Sequence, residues 1–305
     1  MIHFNEVSKI FKSDLLTHPF TALDKVTFSI PLGSMVGFLG ANGAGKTTSL
    51  KIIMDFIRPT TGEVIFDPSL GKSKIEVFKH IGFLPERPYF HQNLTGYEFL
   101  EYMGKLSELT SSQIKAGIDK WGPRFKISYA LERELRTYSK GMLQRIGFLA
   151  TILHEPQLII LDEPLSGLDP IGRKELKDVI IEVHKSGKTV FFSSHIVPDI
   201  EEVCDRVIFL NTGKLIYEGS VQELINTGAD QEYNLIIKSN GVKPAPEAIL
   251  LPDQSWKLKI KENDKNQVLE KLLKEGAHIH TLEAIKPSLE EIFYKTKGSD
   301  DLSKN

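Results

Sequence analysis

The stretch from residue 36 to residue 54 limits the possible folds more than any other. Val36-Gly37-Phe38-Leu39 is an apolar, strand-like run, and Thr48 to Met54 continue as a helix. Between them Gly40-Ala41-Asn42-Gly43-Ala44-Gly45-Lys46-Thr47 fits the pattern G-x-x-x-x-G-K-[ST]. Glycines let the backbone turn its N–H groups inward and approach a phosphate closely. The helix that follows adds about half a positive charge at its N-terminus. Lys46 is then placed to reach β- and γ-phosphates, and the Thr47 hydroxyl to bind Mg²⁺. A turn without function has no need of Lys-Thr at its end. On this motif alone a GTPase or a small-molecule kinase fits as well.

Residues 1–219 alternate strand-like and helix-like runs. Phe28-Ser29-Ile30 and residues 35–39, 81–84, 158–161, 190–192 and 207–210 read as strands. Asp169-Pro170 supplies an N-cap and a first-turn proline, Leu176, Val179, Ile180 and Val183 recur on one helical face, and Gly187 closes the helix. Strand, helix, strand predicts a mostly parallel sheet covered on both faces. Between Pro88 and Pro156 strand signals vanish, and Thr95 with Glu98 forms a capping box, which predicts a helical insert over about 88–156. After Arg206 the chain uses lysine and no arginine. From residue 220 a small α+β appendage is expected, with strands at 235–237 and 256–260, helices at 268–274 and 289–294, and a loose tail at 298–305.

Two further strand ends carry polar chemistry. Leu158-Ile159-Ile160-Leu161 ends in Asp162-Glu163, and adjacent carboxylates on a buried strand are costly without a purpose. Beside a phosphate loop Asp162 can hold Mg²⁺ and Glu163 can orient or deprotonate an attacking water. Val190-Phe191-Phe192-Ser193-Ser194 ends in His195. Alone such a histidine is more often a surface residue; beside the other motifs it is placed to sense the terminal phosphate. Ser139 N-caps a helix whose apolar face includes Met142, Ile146, Leu149 and Leu153, and a serine-capped N-terminus is also an anion site.

Taken in order, these motifs resemble the ATP-binding cassette (ABC) transporter ATPases over residues 1 to about 219. The resemblance implies a P-loop NTPase core with a mostly parallel sheet, an antiparallel β portion and a helical subdomain. It implies an ATPase with ATP and Mg²⁺, the nucleotide bound by Gly40, Asn42, Gly43, Ala44, Gly45, Lys46, Thr47 and Thr48. Ser139 and Gly141 fall in the signature position, and Ser166-Gly167-Leu168-Asp169 resembles the D-loop. Phe11 falls where the family places an aromatic on adenine, although simple packing explains it equally. Two positions depart from the commonest pattern: Lys140 and Met142 stand in the signature, and Glu86 replaces the Q-loop glutamine, which adds a carboxylate able to join Thr47 and Asp162 on the metal.

The resemblance also implies a homodimer, because the family's signature serine completes the partner's ATP site, and a separate membrane permease. Asp169-Pro170-Ile171-Gly172-Arg173 and the appended segment look like those of bacterial exporters, so export from the cytoplasmic face of the membrane is expected. No stretch reaches the roughly 18 apolar residues of a membrane span. A net charge of −2 supplies no field for indiscriminate nucleic-acid binding, and no nucleic acid is expected. The one cysteine, Cys204, excludes an internal disulfide and reads as a small packed side chain. Two alternatives compete. A soluble ABC ATPase of translation or DNA repair would resemble paired cassettes or carry long coiled coils, and neither is present; a GTPase would need an Asn-Lys-x-Asp segment, which is absent.

Overall fold

The computed structural model describes residues 1–12, 19–227, 232–238 and 243–285. The expected helix at 289–294 and tail at 298–305 lie outside them. The chain divides into two compact units between Ser220 and Val221.

In the first unit, β1 (Ile2–Phe11), β2 (Phe20–Ile30) and β4 (Thr61–Phe66) form an antiparallel sheet in the order β2-β1-β4. β1 and β4 are not foreseen from the sequence. Alternation in β1 breaks after Phe4, where Glu6 takes φ 46 and register shifts put Phe4 and Val7 on the buried side; a bulge erases the period-two signal.

The second sheet runs β5 (Ile81–Leu84), β6 (Leu158–Leu161), β7 (Thr189–Ser194), β3 (Met35–Leu39), β8 (Arg206–Asn211), β9 (Lys214–Ser220). All neighbours are parallel except β8 and β9. β3, β6 and β7 are buried along their whole length, which is why they read as continuous apolar runs. α1 (Lys46–Ile53) follows β3 and α2 (Lys74–Lys79) precedes β5. Between β5 and β6 the chain is helical: α3 (Gly96–Leu106), α4 (Ser111–Trp121) and α5 (Lys140–Ile152). The expected capping box at Thr95 and Glu98 starts α3, and Thr110 with Gln113 makes a second at α4. α6 (Pro170–Lys185) links β6 to β7, and the short α7 (Val197–Val203) links β7 to β8. Leu176, Val179, Ile180 and Val183 are buried along α6, as their spacing requires.

Phenylalanines join the two sheets. Phe4 stacks on Phe28 at 4.6 Å, Phe28 meets Phe38 at 5.5 Å, and Phe38 meets Phe191 at 5.0 Å. That continuous apolar seam holds β3 and its phosphate loop against the antiparallel sheet. Cys204 lies against Gly37, and burial pushes its thiol well above the usual range, which leaves it inert.

The second unit begins with α8 (Val221–Thr227). Its antiparallel sheet runs β11 (Ile249–Leu250), β12 (Trp256–Lys261), β10 (Glu232–Lys238), β13 (His278–Ile285), with α9 (Glu262–Lys274) beside it. Leu235, Ile237, Leu258, Ile260 and Leu272 form its own core.

Candidate active site

Gly45 N-caps α1 in the left-handed region at φ 105, where a Cβ would come within 2.8 Å of the Ala22 carbonyl oxygen. Only glycine permits that turn, and it delivers Lys46 as the first residue of the helix. The Lys46 side chain is buried. Its ammonium donates to the carbonyl oxygens of Gly40 at 2.6 Å and Ala41 at 3.4 Å and stands 3.5 Å from the Glu163 carboxylate. Burial pushes its pKa down, and Glu163 and Asp162 pull it partly back.

β6 presents Asp162, 2% exposed. Its carboxylate accepts a hydrogen bond from the Ser193 hydroxyl at 2.6 Å, and the same hydroxyl accepts the Glu163 amide at 2.9 Å. Burial raises the Asp162 pKa, against hydrogen bonds from Ser193 and Thr47. Glu163 takes φ 48, an unfavourable conformation for a non-glycine residue that recurs at functional positions. One of its oxygens receives His195 Nδ1 at 3.0 Å; the other is buried without a hydrogen-bond partner.

Gly45, Lys46, Glu163 and His195 line one cleft of about 400 Å³, together with Ala41, Asn42, Gly43, Thr47, Thr48, Glu86, Ser166, Ala22 and Phe20. That volume suits a small-molecule ligand. The predicted Lys46, Thr47, Thr48, Asn42, Gly43, Gly45, Glu86, Glu163 and His195 therefore come together, with Asp162 bonded behind them and Gly40 and Ala44 forming the base of the loop. Phe11 does not line the cleft, and its ring lies beneath the Lys9 ammonium at 5.1 Å. Its cross-strand partner Phe20 lines the cleft instead. Cross-strand register is invisible along the sequence, so nothing local distinguishes the two.

Ser193 and Ser166 were missed as site residues. Ser193 carried a signal: a hydroxyl at an inward strand position must find a partner.

Ser139, Gly141 and Asp169 do not reach this cleft. They line a second one, about 420 Å³, with Lys126, Tyr129, Met142, Arg145, Gly167, Leu168, Gly172 and Glu175. Ser139 caps α5, its hydroxyl accepting the Met142 amide at 3.2 Å, and Asp169 caps α6 through the Gly172 amide at 2.8 Å. The Ser166–Asp169 turn joins the clefts, with Ser166 on the first and Gly167, Leu168 and Asp169 on the second.

The fit to a divalent cation follows from the donor set. Among the described residues no cluster of three or more His, Cys, Asp or Glu side chains could hold a metal alone. A buried carboxylate close to a threonine hydroxyl, Asp162 with Thr47, suits Mg²⁺, which takes one or two protein ligands and fills its shell with substrate phosphates and water.

An uncharacterized ABC transporter ATP-binding protein of Synechocystis sp. is 34% identical to the chain over 298 residues, covering 95% of the chain and 82% of that protein. The chain belongs to the ABC transporter ATP-binding proteins. The family model described as ABC transporter matches residues 23–166, and one described as the C-terminal domain of DrrA1-3-like ATP-binding proteins matches residues 219–296. The bacitracin transport ATP-binding protein BcrA of Enterococcus faecalis is 37% identical over 206 residues, 67% of the chain and 66% of BcrA. A solved ATP-binding subunit of an ABC transporter superposes with a TM-score of 0.64 at 26% identity, covering 74% of the chain and 92% of that structure. The chain is thus an ATP-binding, ATP-hydrolysing transporter subunit on a P-loop α/β core. No helix among the described residues is long and apolar enough to cross a membrane.

Proposed function

We propose that two copies of this chain hydrolyse two ATP molecules at shared sites and thereby drive export through a separate permease, from the cytoplasmic face of the membrane. The observation that carries this reading is the separation of the two clefts. One chain places its phosphate loop, Glu163 and His195 in one cleft, and Ser139 and Gly141 in another. A second copy, turned head to tail, brings Ser139 and Gly141 to the phosphates held by the first.

In this reading the amides of Gly43, Ala44 and Gly45 and the Lys46 ammonium hold the phosphates. Lys46 exchanges its bonds to the Gly40 and Ala41 carbonyl oxygens for phosphate oxygens. Thr47 and Asp162, with Glu86 at the rim, hold Mg²⁺, which when bound neutralises charge on the phosphates. Glu163 accepts a proton from the attacking water on the oxygen that has no hydrogen bond and faces the Lys46 ammonium at 3.5 Å, while His195 holds the other oxygen and senses the γ-phosphate. Phe20, which lines the cleft, flanks the base. The appended unit and the Asp169–Arg173 form, which resemble those of bacterial exporters, support export in this reading.

The test pairs two variants. Glu163→Gln should retain ATP affinity by calorimetry, lose at least about 100-fold in phosphate release, and run as a dimer with ATP in light scattering. Ser139→Arg in the same background should remain monomeric. A Glu163→Gln monomer at saturating ATP, or a Ser139→Arg dimer, would refute the shared site.

A further inference from the structure

Asp199 is a carboxylate with 4% exposure in α7, one turn beyond His195. Its partners come from α6: the Arg173 guanidinium bonds one oxygen, and the Lys177 ammonium lies 3.7 Å from the other. Lys177 also bonds Glu202 on α7. A buried charge needs compensation at its own location, so these pairs fix α7 relative to α6 rather than decorate a surface. α7 needs such support. It has seven residues and no side-chain N-cap, too short to hold a helix by its own hydrogen bonds.

α6 begins where the turn between the two clefts ends, since Asp169 is both the last residue of that turn and the helix N-cap. Arg173 is one turn further on. On another face Glu175 accepts Arg145 of α5 at 2.6 Å and Lys126 at 2.7 Å, both lining the second cleft. The first two turns of α6 are therefore bonded to the serine-capped helix on one side and to the helix after His195 on the other.

We propose that Arg173 and Asp199 are positioning residues for ATP hydrolysis, which transmit the placement of the Ser166–Asp169 turn to His195. When the second cleft engages a partner's nucleotide, α6 shifts as a unit. The Arg173–Asp199 pair carries that shift to α7 and so to the contact between His195 and Glu163. Each chain's own water-activating pair then becomes aligned only when its outer cleft is occupied. The inference rests on the proposed role of His195 at the γ-phosphate.

The experiment measures steady-state ATP hydrolysis by the full-length chain, with thermal melting of each variant. Arg173→Gln and Arg173→Ala should lower kcat by about 10-fold and leave KM for ATP within about twofold, since positioning acts on the reacting geometry. Combined with His195→Ala, either should lower kcat no further than His195→Ala alone, because both act through one contact. The exchanged pair Arg173→Asp with Asp199→Arg should recover at least about half of the lost kcat. Additive losses in the double variant, a kcat loss that follows loss of folded protein in the melts, or unchanged kcat in both Arg173 variants would overturn the proposal. Unchanged kcat in His195→Ala would overturn the reading of the site itself, and this inference with it. A defective His195→Ala beside normal Arg173 variants would overturn this inference alone.

Discussion

Asp162 has a carboxylate with almost no access to solvent. Burial raises its pKa, so between the ordinary carboxylate value and the raised one the folded chain binds a proton that the unfolded chain has released. The group's contribution to stability therefore improves as pH falls through that window and is a burden above it. Asp162→Asn removes the charge at nearly constant volume. It should raise the melting temperature of the nucleotide-free protein at neutral pH by about 2–4 °C, the response of a domain of this size to about 1 kcal/mol. The further rise on adding Mg²⁺ and ATP should disappear. A calorimetric scan with and without ligand checks both, and a lower melting temperature for the variant would show that the charge is already compensated. The presence of Asp162 and Glu163 was legible, since an apolar run ending in two acids announces itself. Their coupling through Ser193 was not, because it joins residues about thirty positions apart.

At the scale of elements, α5 is held in place by what precedes it. Tyr138, next to the capping serine, is buried and donates its hydroxyl to the Ala130 carbonyl oxygen at 2.6 Å. Burial pushes its phenol up to about 12, so it remains a donor throughout the physiological range. Tyr138→Phe removes that bond and leaves the carbonyl to the Arg133 amide alone, 2.9 Å away, so it should cost about 0.5–1.5 kcal/mol, read as a lower urea midpoint at unchanged slope. An unshifted midpoint would mean that the Tyr138 hydroxyl adds nothing to the Arg133 amide at that carbonyl. Three helix starts were legible from local caps: Thr95, Ser139 and Asp169 all cap the helices that their spacing announced, whereas the caps at Ser73 and Thr110 went unread. β1 was not, because its bulge destroys alternation, and neither was α7, which is shorter than two helical turns and depends on α6 for its place.

Among the described residues each unit has an apolar cluster of its own, and the two clusters share no residue. A chain ending at Ser220 should therefore fold, bind ATP with affinity within about threefold, and melt within about 5 °C of the full chain, as expected of a domain with its own core. Circular dichroism and calorimetry measure these. Aggregation or loss of cooperative melting would show that the first unit depends on the second.

By itself the sequence determined the α/β class, the phosphate loop, the acid pair and the serine-capped helix. Each of these is written in a few contiguous residues whose backbone and capping preferences act locally. The tertiary structure alone decided that Phe20 rather than Phe11 faces the cleft and that Ser193 bridges Asp162 to Glu163. It also decided that Ser139 opens onto a different cleft from Lys46. Those outcomes depend on strand register and on how the helices pack, which are set by contacts between distant parts of the chain and leave no periodic trace along it.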